Sequence, residues 1–193
     1  MLKLFRPALV LFVTTLVITG LLAATYSYTR DIIREREEKT LRDARISVLK
    51  EADSFEEADL SLFGFEPSVE SVFVGKDKDG KTAGAVVTVN RRGYGDKIRM
   101  SVGVTADGTI QGVVILENQE TPGLGGKISE AGFISQFKAL FSEEELTVAK
   151  KAKSEAYEIE AISGATISSS AVISGVNTAK KAAMEIMKAG EGS

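Results

Sequence analysis

A run of small and hydroxyl residues, Glu160-Ala-Ile-Ser-Gly-Ala-Thr-Ile-Ser-Ser-Ser170, lies where a predicted strand ends and the last predicted helix begins. The first backbone N–H groups of a helix lack partners within the helix, and the helix dipole adds positive potential there. Gly164 and Ala165 allow close backbone approach, and the Thr166 hydroxyl is able to carry an ester. These features favour a phosphate at this position.

Helix capping is a simpler use of the same residues. Thr166 or Ser163 would accept a hydrogen bond from the first turn, and Gly164 would make the turn before it. On general grounds capping is the more frequent role of such residues. The lysine and the spacing of a P-loop are also missing. The run alone therefore leaves both interpretations open.

Two other glycine-containing segments stand between predicted elements. Glu120-Thr-Pro-Gly-Leu-Gly-Gly-Lys127 follows a predicted strand, and alone it predicts a Pro-Gly turn that leads into a helix. Gly93-Tyr94-Gly95 lies in the predicted turn between two strands. Tyr94 is expected to be a surface aromatic of that hairpin.

The composition excludes several kinds of site. The chain has no cysteine and no histidine, so it cannot by itself build an iron–sulfur cluster, a thiolate zinc site or a Ser–His nucleophilic pair. Redox chemistry would therefore need an organic cofactor. The net charge of −3 argues against a surface for nucleic-acid phosphates, so no nucleic-acid partner is expected.

The N-terminal segment is typical of a membrane anchor. No charged residue stands between Arg6 and Arg30, and about 23 helical residues would extend roughly 34 Å, enough to cross a hydrocarbon core. A cleaved signal peptide is the alternative, but the apolar run is long and no clean A-x-A site follows it. Lys3 and Arg6 precede the span, which predicts a cytoplasmic N-terminus and an extracytoplasmic domain.

The rest of the chain predicts an α+β fold. Residues from Arg30 to about Lys50 predict a helical stalk, and strands are predicted over 68–75, 81–90, 97–106 and 109–117, joined by turns in an antiparallel sheet. Helices over 129–141 and 167–188 and a short strand over 157–162 complete the prediction. Ile167, Val172, Val176, Ala179, Ala183 and Ile186 are expected to form the buried face of the last helix. The expected domains are an anchor over 1–29, a stalk over 30–62 and a globular domain over 63–193.

Two motifs together resemble the FMN-binding domain shared by the G subunit of Rnf-type complexes and the C subunit of the sodium-pumping NADH:quinone reductase. Ser163-Gly164-Ala165-Thr166, followed by Ile167-Ser168-Ser169, is similar to that family's flavinylation motif. The segment Glu120–Lys127, about forty residues upstream, resembles its E-T-P-G-L-G loop. In that family a dedicated flavin transferase joins the threonine to the phosphate of FMN. The resemblance implies covalent FMN on Thr166.

The resemblance also implies the remaining site residues. Thr121 and Leu124 would lie beside the flavin, with glycines letting backbone amides approach its ring. Gly93-Tyr94-Gly95 resembles a further turn of the family, G-Y-G, so stacking of Tyr94 near the flavin is the alternative to the favoured role of a surface aromatic. The implied cofactor-binding set is Glu120, Thr121, Gly123, Leu124, Gly125, Lys127, Ser163, Gly164, Ala165 and Ser169. The set that the flavin transferase would recognise is Glu160, Ser163, Gly164, Ala165 and Thr166, with Glu160 where the family often has Asp. No catalytic acid or base and no metal ligand is implied.

The implied function is electron transfer within a membrane-bound Rnf-type complex that links ferredoxin to NAD⁺ and pumps Na⁺ or H⁺. The expected partners are the neighbouring proteins of the complex, the membrane, and a flavin transferase during maturation, and the chain alone should turn over no substrate. The expected location is the cell (inner) membrane, with a single span.

Three further interpretations stay open. The first is a C subunit of the quinone reductase, although that subunit is typically longer, which favours the G subunit. The second is a membrane-tethered assembly subunit without redox activity. The third is a stand-alone extracellular flavoprotein that carries electrons to a soluble acceptor.

Overall fold

The structure is a computed structural model that describes residues 2–149 and 155–190. Its internal contacts divide the chain into two units, Met1–Thr40 and Leu41–Ser193. Helix α1, Leu2–Val48, forms the first unit, and its last two turns belong to the second. The helix predicted to continue beyond the apolar run is thus confirmed.

The first unit carries the candidate membrane span. An 18-residue window of α1 has a mean hydropathy of 2.3, so the helix is long and apolar enough to cross a membrane by length and composition. The hydroxyls of Thr14, Thr15 and Thr25 each donate to the carbonyl oxygen four residues earlier, at 2.8–2.9 Å. These polar groups are therefore satisfied within the helix and need no outside partner.

The second unit is built on a five-stranded antiparallel sheet whose strands stand in sequence order. The strands are β1 Ser54–Glu57, β2 Val69–Lys76, β3 Thr82–Arg92, β4 Lys97–Thr105 and β5 Ile110–Glu117. The four predicted strands are confirmed. Strand β1 was not predicted, because Ser-Phe-Glu-Glu lacks an alternating apolar pattern, and it lies within the expected stalk of 30–62.

One face of the sheet packs against the C-terminal helix. Consecutive side chains of a strand point to opposite faces, and the face covered by this helix is almost wholly aliphatic. Its buried residues in β3 and β4 are Ala85, Val87, Val89, Ile98, Met100, Val102 and Val104. Burying this surface is the main favourable contribution to folding of the second unit.

The helix predicted over 129–141 is replaced by three short segments. A 3-10 helix over Gly125–Ser129 precedes α2, Ala131–Ile134, and a second 3-10 turn over Ser135–Phe137 follows. The segment cannot continue as a helix because Ala139 has a positive φ of 52°. The backbone of Leu140 then pairs with Ile110 of β5. The prediction was wrong because local periodicity does not show that the edge strand β5 competes with the helix for the backbone hydrogen bonds of this segment.

The C-terminal helix, α3, spans Thr166–Gly190, close to the predicted 167–188. The predicted inward residues from Val172 to Ile186 are buried. Ile167 is the exception, because 56% of its surface is exposed, and its assignment to the packed face was wrong.

A small second sheet leads into α3. Strand β6, Thr147–Val148, pairs in parallel with β7, Glu158–Ile159. Strand β7 lies within the predicted strand 157–162, whereas β6 was not predicted. The side chain of Asn177 on α3 accepts from the Leu146 N–H and donates to the Leu146 carbonyl oxygen, both at 2.9 Å. These two bonds attach the β6 end of this sheet to the helix.

The other face of the main sheet receives the end of α1. Val48 and Leu49 are buried there with Val86, over glycines that lie on four neighbouring strands. These glycines are Gly75, Gly84, Gly103 and Gly112. A Cβ atom at Gly103 would lie 2.6 Å from the carbonyl carbon of Val48. The backbone of α1 therefore approaches the sheet more closely than any side chain would allow.

We expect Gly103→Ala to lower the free energy of unfolding by about 1–3 kcal/mol, because overpacking a close contact forces the backbone to shift. The fragment from Arg30 onward, which we expect to fold without the anchor, is suitable for measurement by urea denaturation. Gly132→Ala is the matched control, since a Cβ there meets nothing within 4 Å. Equal stabilities of the two variants would contradict the close packing of α1 on the sheet.

Candidate functional site

The loop over residues 160–165 connects β7 to α3 and is closed by its own backbone. Gly164 has a φ of 77°, a left-handed conformation that glycine adopts without steric cost. The Ala165 N–H donates to the Ile162 carbonyl oxygen at 2.9 Å. The turn therefore needs a glycine for reasons of conformation alone.

Ser169 fastens this loop to the first turn of α3. Its side chain is fully buried, and its hydroxyl accepts from the Ile162 N–H and donates to the Ala165 carbonyl oxygen, both at 3.0 Å. The Ala165 carbonyl oxygen also accepts from the Ser169 N–H at 3.0 Å. The Ser169 hydroxyl therefore supports the loop from behind.

Gln136 holds the start of the same loop. The Glu160 N–H donates to Gln136 Oε1 at 2.8 Å, and Gln136 Nε2 donates to the Glu160 carbonyl oxygen at 3.1 Å. The amide side chain thus pairs with Glu160 as a neighbouring strand would. The Glu160 residue itself is exposed, so its carboxylate is displayed while its backbone is fixed.

Thr166 is the first residue of α3 and is exposed. Among the described residues, neither its hydroxyl nor that of Ser163 makes a hydrogen bond. A residue inside the helix cannot act as its N-cap, and Ser163 does not cap it either. The Thr166 hydroxyl is thus free for chemistry, beside the first N–H groups of the helix.

The loop after β5 forms the facing wall. Leu124 and Gly126 donate their N–H groups to the Thr121 carbonyl oxygen, at 3.2 and 3.0 Å, and Gly123 has a φ of 77°. The Leu124 side chain, half exposed, lies 3.5 Å from the position that a Cβ of Gly164 would occupy. The two motifs that the sequence separates are therefore in contact.

A cleft of about 560 Å³ lies between these walls. It has the mixture of apolar side chains and backbone groups that is usual in cofactor sites. Its lining residues are Tyr94, Glu120, Thr121, Leu124, Gly125, Gly164, Ala165, Thr166, Ile167 and Ser168. The Thr166 hydroxyl thus stands at a cavity and not on a flat surface.

Glu120 joins the walls of this cleft. The residue is only 6% exposed, and its Oε1 accepts from the Gly95 N–H at 3.1 Å while Oε2 accepts from the Ser168 hydroxyl at 2.6 Å. Its own N–H donates to Asn118 Oδ1 at 3.2 Å. Both carboxylate oxygens are therefore satisfied by donors from other segments.

The residues implied by the resemblance fall into two groups. Six of them line the cleft together with Thr166: Glu120, Thr121, Leu124, Gly125, Gly164 and Ala165. Five others are outside the lining: Gly123, Lys127, Glu160, Ser163 and Ser169. Of these five, Ser169 is buried behind the loop and the other four are exposed.

Three lining residues were not assigned to the site from the sequence: Tyr94, Ile167 and Ser168. Tyr94 is 71% exposed, so it is both the surface aromatic that was expected and part of the cleft. The Gly-Tyr-Gly turn was a usable signal. Ile167 could have been assigned to the site because it follows Thr166 in the sequence. It was instead assigned to the buried face of the last helix.

Among the residues that the structure describes, no lysine or arginine lines the cleft. Backbone N–H groups and the helix dipole are therefore its sources of positive potential. Such a site suits an anion of low charge that is held by another means as well. A phosphodiester fits this description better than a free phosphate monoester, which carries about −1.5 to −2 charges at neutral pH.

Comparison with known proteins identifies similar chains over nearly the whole length. The model of the FMN-binding domain matches residues 93–181, and the model of the RnfG N-terminal region matches residues 1–48. The G subunit of the Na⁺-translocating ferredoxin:NAD⁺ oxidoreductase complex of Acetobacterium woodii is 38% identical over 183 residues, covering 90% of this chain and 88% of that one. The G subunit of the proton-translocating ferredoxin:NAD⁺ oxidoreductase complex of Clostridium ljungdahlii is 33% identical, covering 86% and 84%.

Solved structures share the fold. NqrC of Shewanella oneidensis superposes with a TM-score of 0.54 at 26% identity, over 76% of this chain and 74% of that one. The C subunit of the Na⁺-translocating NADH-quinone reductase of Parabacteroides distasonis gives 0.57 at 21% identity, over 76% and 91%. The antiparallel sheet and C-terminal helix described above are thus an established architecture.

We expect Ser169→Ala to lower the free energy of unfolding by about 1–3 kcal/mol, because the Ile162 N–H loses its acceptor. Ser163→Ala is the matched control and should stay within about 0.5 kcal/mol of the wild type, since the Ser163 residue is exposed and its hydroxyl makes no hydrogen bond among the described residues. Thermal denaturation of both variants measures the difference. A neutral Ser169→Ala would contradict the role of this hydroxyl in closing the loop.

Proposed function

Because the chain belongs to the family of G subunits of Rnf-type ion-translocating ferredoxin:NAD⁺ oxidoreductase complexes, we propose that it carries FMN covalently, as a phosphoester of Thr166. In this function it is a membrane-anchored electron-transfer flavoprotein of such a complex. The observation that carries the proposal is the exposed Thr166 hydroxyl, unbonded among the described residues, at the edge of the cleft.

FMN is consistent with a sequence that contains no cysteine and no histidine. A protein without cysteine and histidine cannot hold an iron–sulfur cluster or a haem by the usual ligands. FMN supplies reversible electron transfer when it is bound. The residues of the chain then bind it, orient it and limit its exposure to water, and the protein is not expected to turn over a substrate alone.

Each wall of the cleft has a part in holding the cofactor. The start of α3 offers N–H groups to the phosphate, while Thr121 and Leu124 lie on the wall that would face the ring. Tyr94 and Ile167 add apolar surface at the rim. The covalent bond makes up for the missing basic side chains, because retention no longer depends on the charge of the phosphate.

A flavin transferase is the proposed source of the ester bond, since no described group of the cleft is arranged to activate the Thr166 hydroxyl. The hydrogen bonds of Gln136 and Ser169 fix the backbone of the loop. It displays the side chains of Glu160, Ser163 and Thr166 outward. We therefore propose that the transferase recognises the folded loop, with Glu160 as its acidic determinant.

Covalent attachment is also suited to the proposed location. Lys3 and Arg6 precede the candidate span and favour a cytoplasmic N-terminus, with a single span and the flavin domain outside the cytoplasm. A flavin that dissociated into the dilute exterior would not return. The partners proposed for the domain are the neighbouring proteins of the complex.

A C subunit of the sodium-pumping NADH:quinone reductase is the second candidate, and the solved structures with the same fold favour it. The higher identity to G subunits across about nine-tenths of the chain favours the first proposal. Co-purification separates the candidates, because each complex has its own set of proteins. It also tests the stand-alone flavoprotein, which would purify without membrane partners.

We expect Thr166→Val to abolish covalent flavin while the fold is kept. Valine keeps the β-branched shape and removes the oxygen atom of the ester, and the change in stability should stay within about 0.5 kcal/mol because the residue is exposed and its hydroxyl is unbonded. Thr166→Ser should keep partial flavinylation. The measurement is flavin fluorescence after denaturing electrophoresis of the full chain produced with a flavin transferase, followed by peptide mass mapping.

Undiminished flavin in Thr166→Val, or flavin mapped to a neighbouring serine, would remove the proposed attachment site. Ser163→Ala and Ser170→Ala are the matched controls and should keep the link. Flavin absent from the wild type would favour the tethered assembly protein without redox activity.

We expect Lys78→Cys to react with a membrane-impermeant thiol reagent in intact cells. The chain has no other cysteine, and Lys78 is exposed in the turn between β2 and β3. Lys3→Cys is the control on the opposite side of the candidate span and should react only after lysis. The reverse pattern of labelling would place the domain in the cytoplasm.

A further inference from the structure

Glu120 is an unusual residue for the wall of an electron-transfer site. Among the described residues it is the only acidic or basic residue that is buried. Burial of a carboxylate is costly unless hydrogen bonds and nearby charges compensate for the lost water. No lysine or arginine is found beside it in the described part of the cleft lining, and the donors observed there, the Gly95 N–H and the Ser168 hydroxyl, are neutral.

The donors come from two distant parts of the chain. The Gly95 N–H belongs to the turn between β3 and β4, and the Ser168 hydroxyl belongs to the first turn of α3. These partners stand 25 and 48 residues from Glu120 in the sequence. One carboxylate therefore connects the three segments from which the cleft is built.

Two glycines next to Glu120 leave space for its carboxylate. A Cβ at Gly125 would lie 2.6 Å from Glu120 Oε2 and 2.7 Å from the Ser168 hydroxyl oxygen. A Cβ at Gly93 would collide with Glu120 Oε1 and would lie 2.8 Å from Ile98 Cδ1. Gly125 in the cleft lining and Gly93 in the turn between β3 and β4 thus both leave room for the carboxylate.

We propose that Glu120 is a positioning residue of the flavin cleft. Its buried carboxylate holds the cleft walls together through its hydrogen bonds to Gly95 and Ser168, which together form the Glu120 clasp. The same carboxylate lowers the reduction potential of the bound flavin. The inference rests on the proposed function, because the potential is that of FMN on Thr166. The clasp acts through Gly95 and Ser168, which adjoin Tyr94 and Ile167 in the cleft lining. The charge acts through space, since a fixed negative charge near the flavin opposes the arrival of an electron.

The two effects are separable by substitution. In Glu120→Gln, the amide oxygen accepts from the Gly95 N–H and the amide NH₂ donates to the Ser168 hydroxyl, which reverses its own hydrogen. This variant keeps the clasp and loses the charge. Glu120→Ala loses both, and Ser168→Ala removes one link while the charge stays.

The experiment uses the full chain produced with a flavin transferase and purified in detergent. Glu120→Gln should keep the covalent flavin of the wild type and shift the flavin midpoint potential to a more positive value. Glu120→Ala should lower the yield of covalent flavin and alter the fine structure of its visible spectrum. Glu130→Gln removes an exposed charge outside the cleft and should leave the potential unchanged.

A Glu120→Gln potential equal to that of the wild type would overturn the effect of the charge. The clasp has its own readout in protein made without the transferase, namely the amide resonance of Gly95. It should move in Glu120→Ala and stay in Glu130→Gln, and its staying in both would overturn the clasp. Absence of flavin from the wild type would instead contradict the proposed function. The Gly95 amide resonance would still show whether the Glu120 carboxylate holds the turn between β3 and β4.

Discussion

The buried hydroxyl of Ser169 fastens the loop before α3 to the first turn of that helix, directly behind the exposed Thr166. By accepting from Ile162 and donating to Ala165, Ser169 satisfies backbone groups of the loop from the rear. The hydroxyl of Thr166, on the exposed side of the loop, makes no hydrogen bond with any residue that the structure describes. Ser169 can hold this position because α3 is itself fixed, with Val172 and Val176 fully buried against the sheet. The exposed position of Thr166 is thus supported by a rigid core behind it.

The charges of the cleft lining decide how a phosphate could be held there. Among the described lining residues there is no lysine or arginine, so a dissociable phosphate would be held only by amides and a helix dipole, each of modest strength. The ester proposed on Thr166 would supply the retention and would leave the phosphate with one negative charge. The carboxylate of Glu120 would then be tolerable near the cofactor, whereas a free phosphate monoester beside it would add to the repulsion. The proposed covalent attachment and the buried acid are in this way compatible in one site.

The hydrophobic periodicity of the sequence correctly predicted the strands whose one face is buried. Alternating apolar residues predicted β3 and β4, because one face of each is buried by α3. The helix expected over 129–141 was wrong, since the conformation of Ala139 and the pairing of Leu140 with β5 come from the sheet. The motifs led to Thr166 and to the loop that contains Leu124. They could not lead to the bond between Glu120 and Ser168, which joins residues 48 positions apart.

The sheet carries the end of α1 on one face and α3 on the other, and the two faces are packed in different ways. Toward α3, aliphatic side chains such as Val87 and Val102 fill the space between helix and sheet. Toward Val48, glycines replace side chains, so that the backbone of α1 rests directly on the strands. A contact made by backbone has few rotamers to rearrange, and a substitution there must move the strand or the helix. Residues 41–49 therefore belong to the second unit, together with the sheet on which Val48 and Leu49 pack.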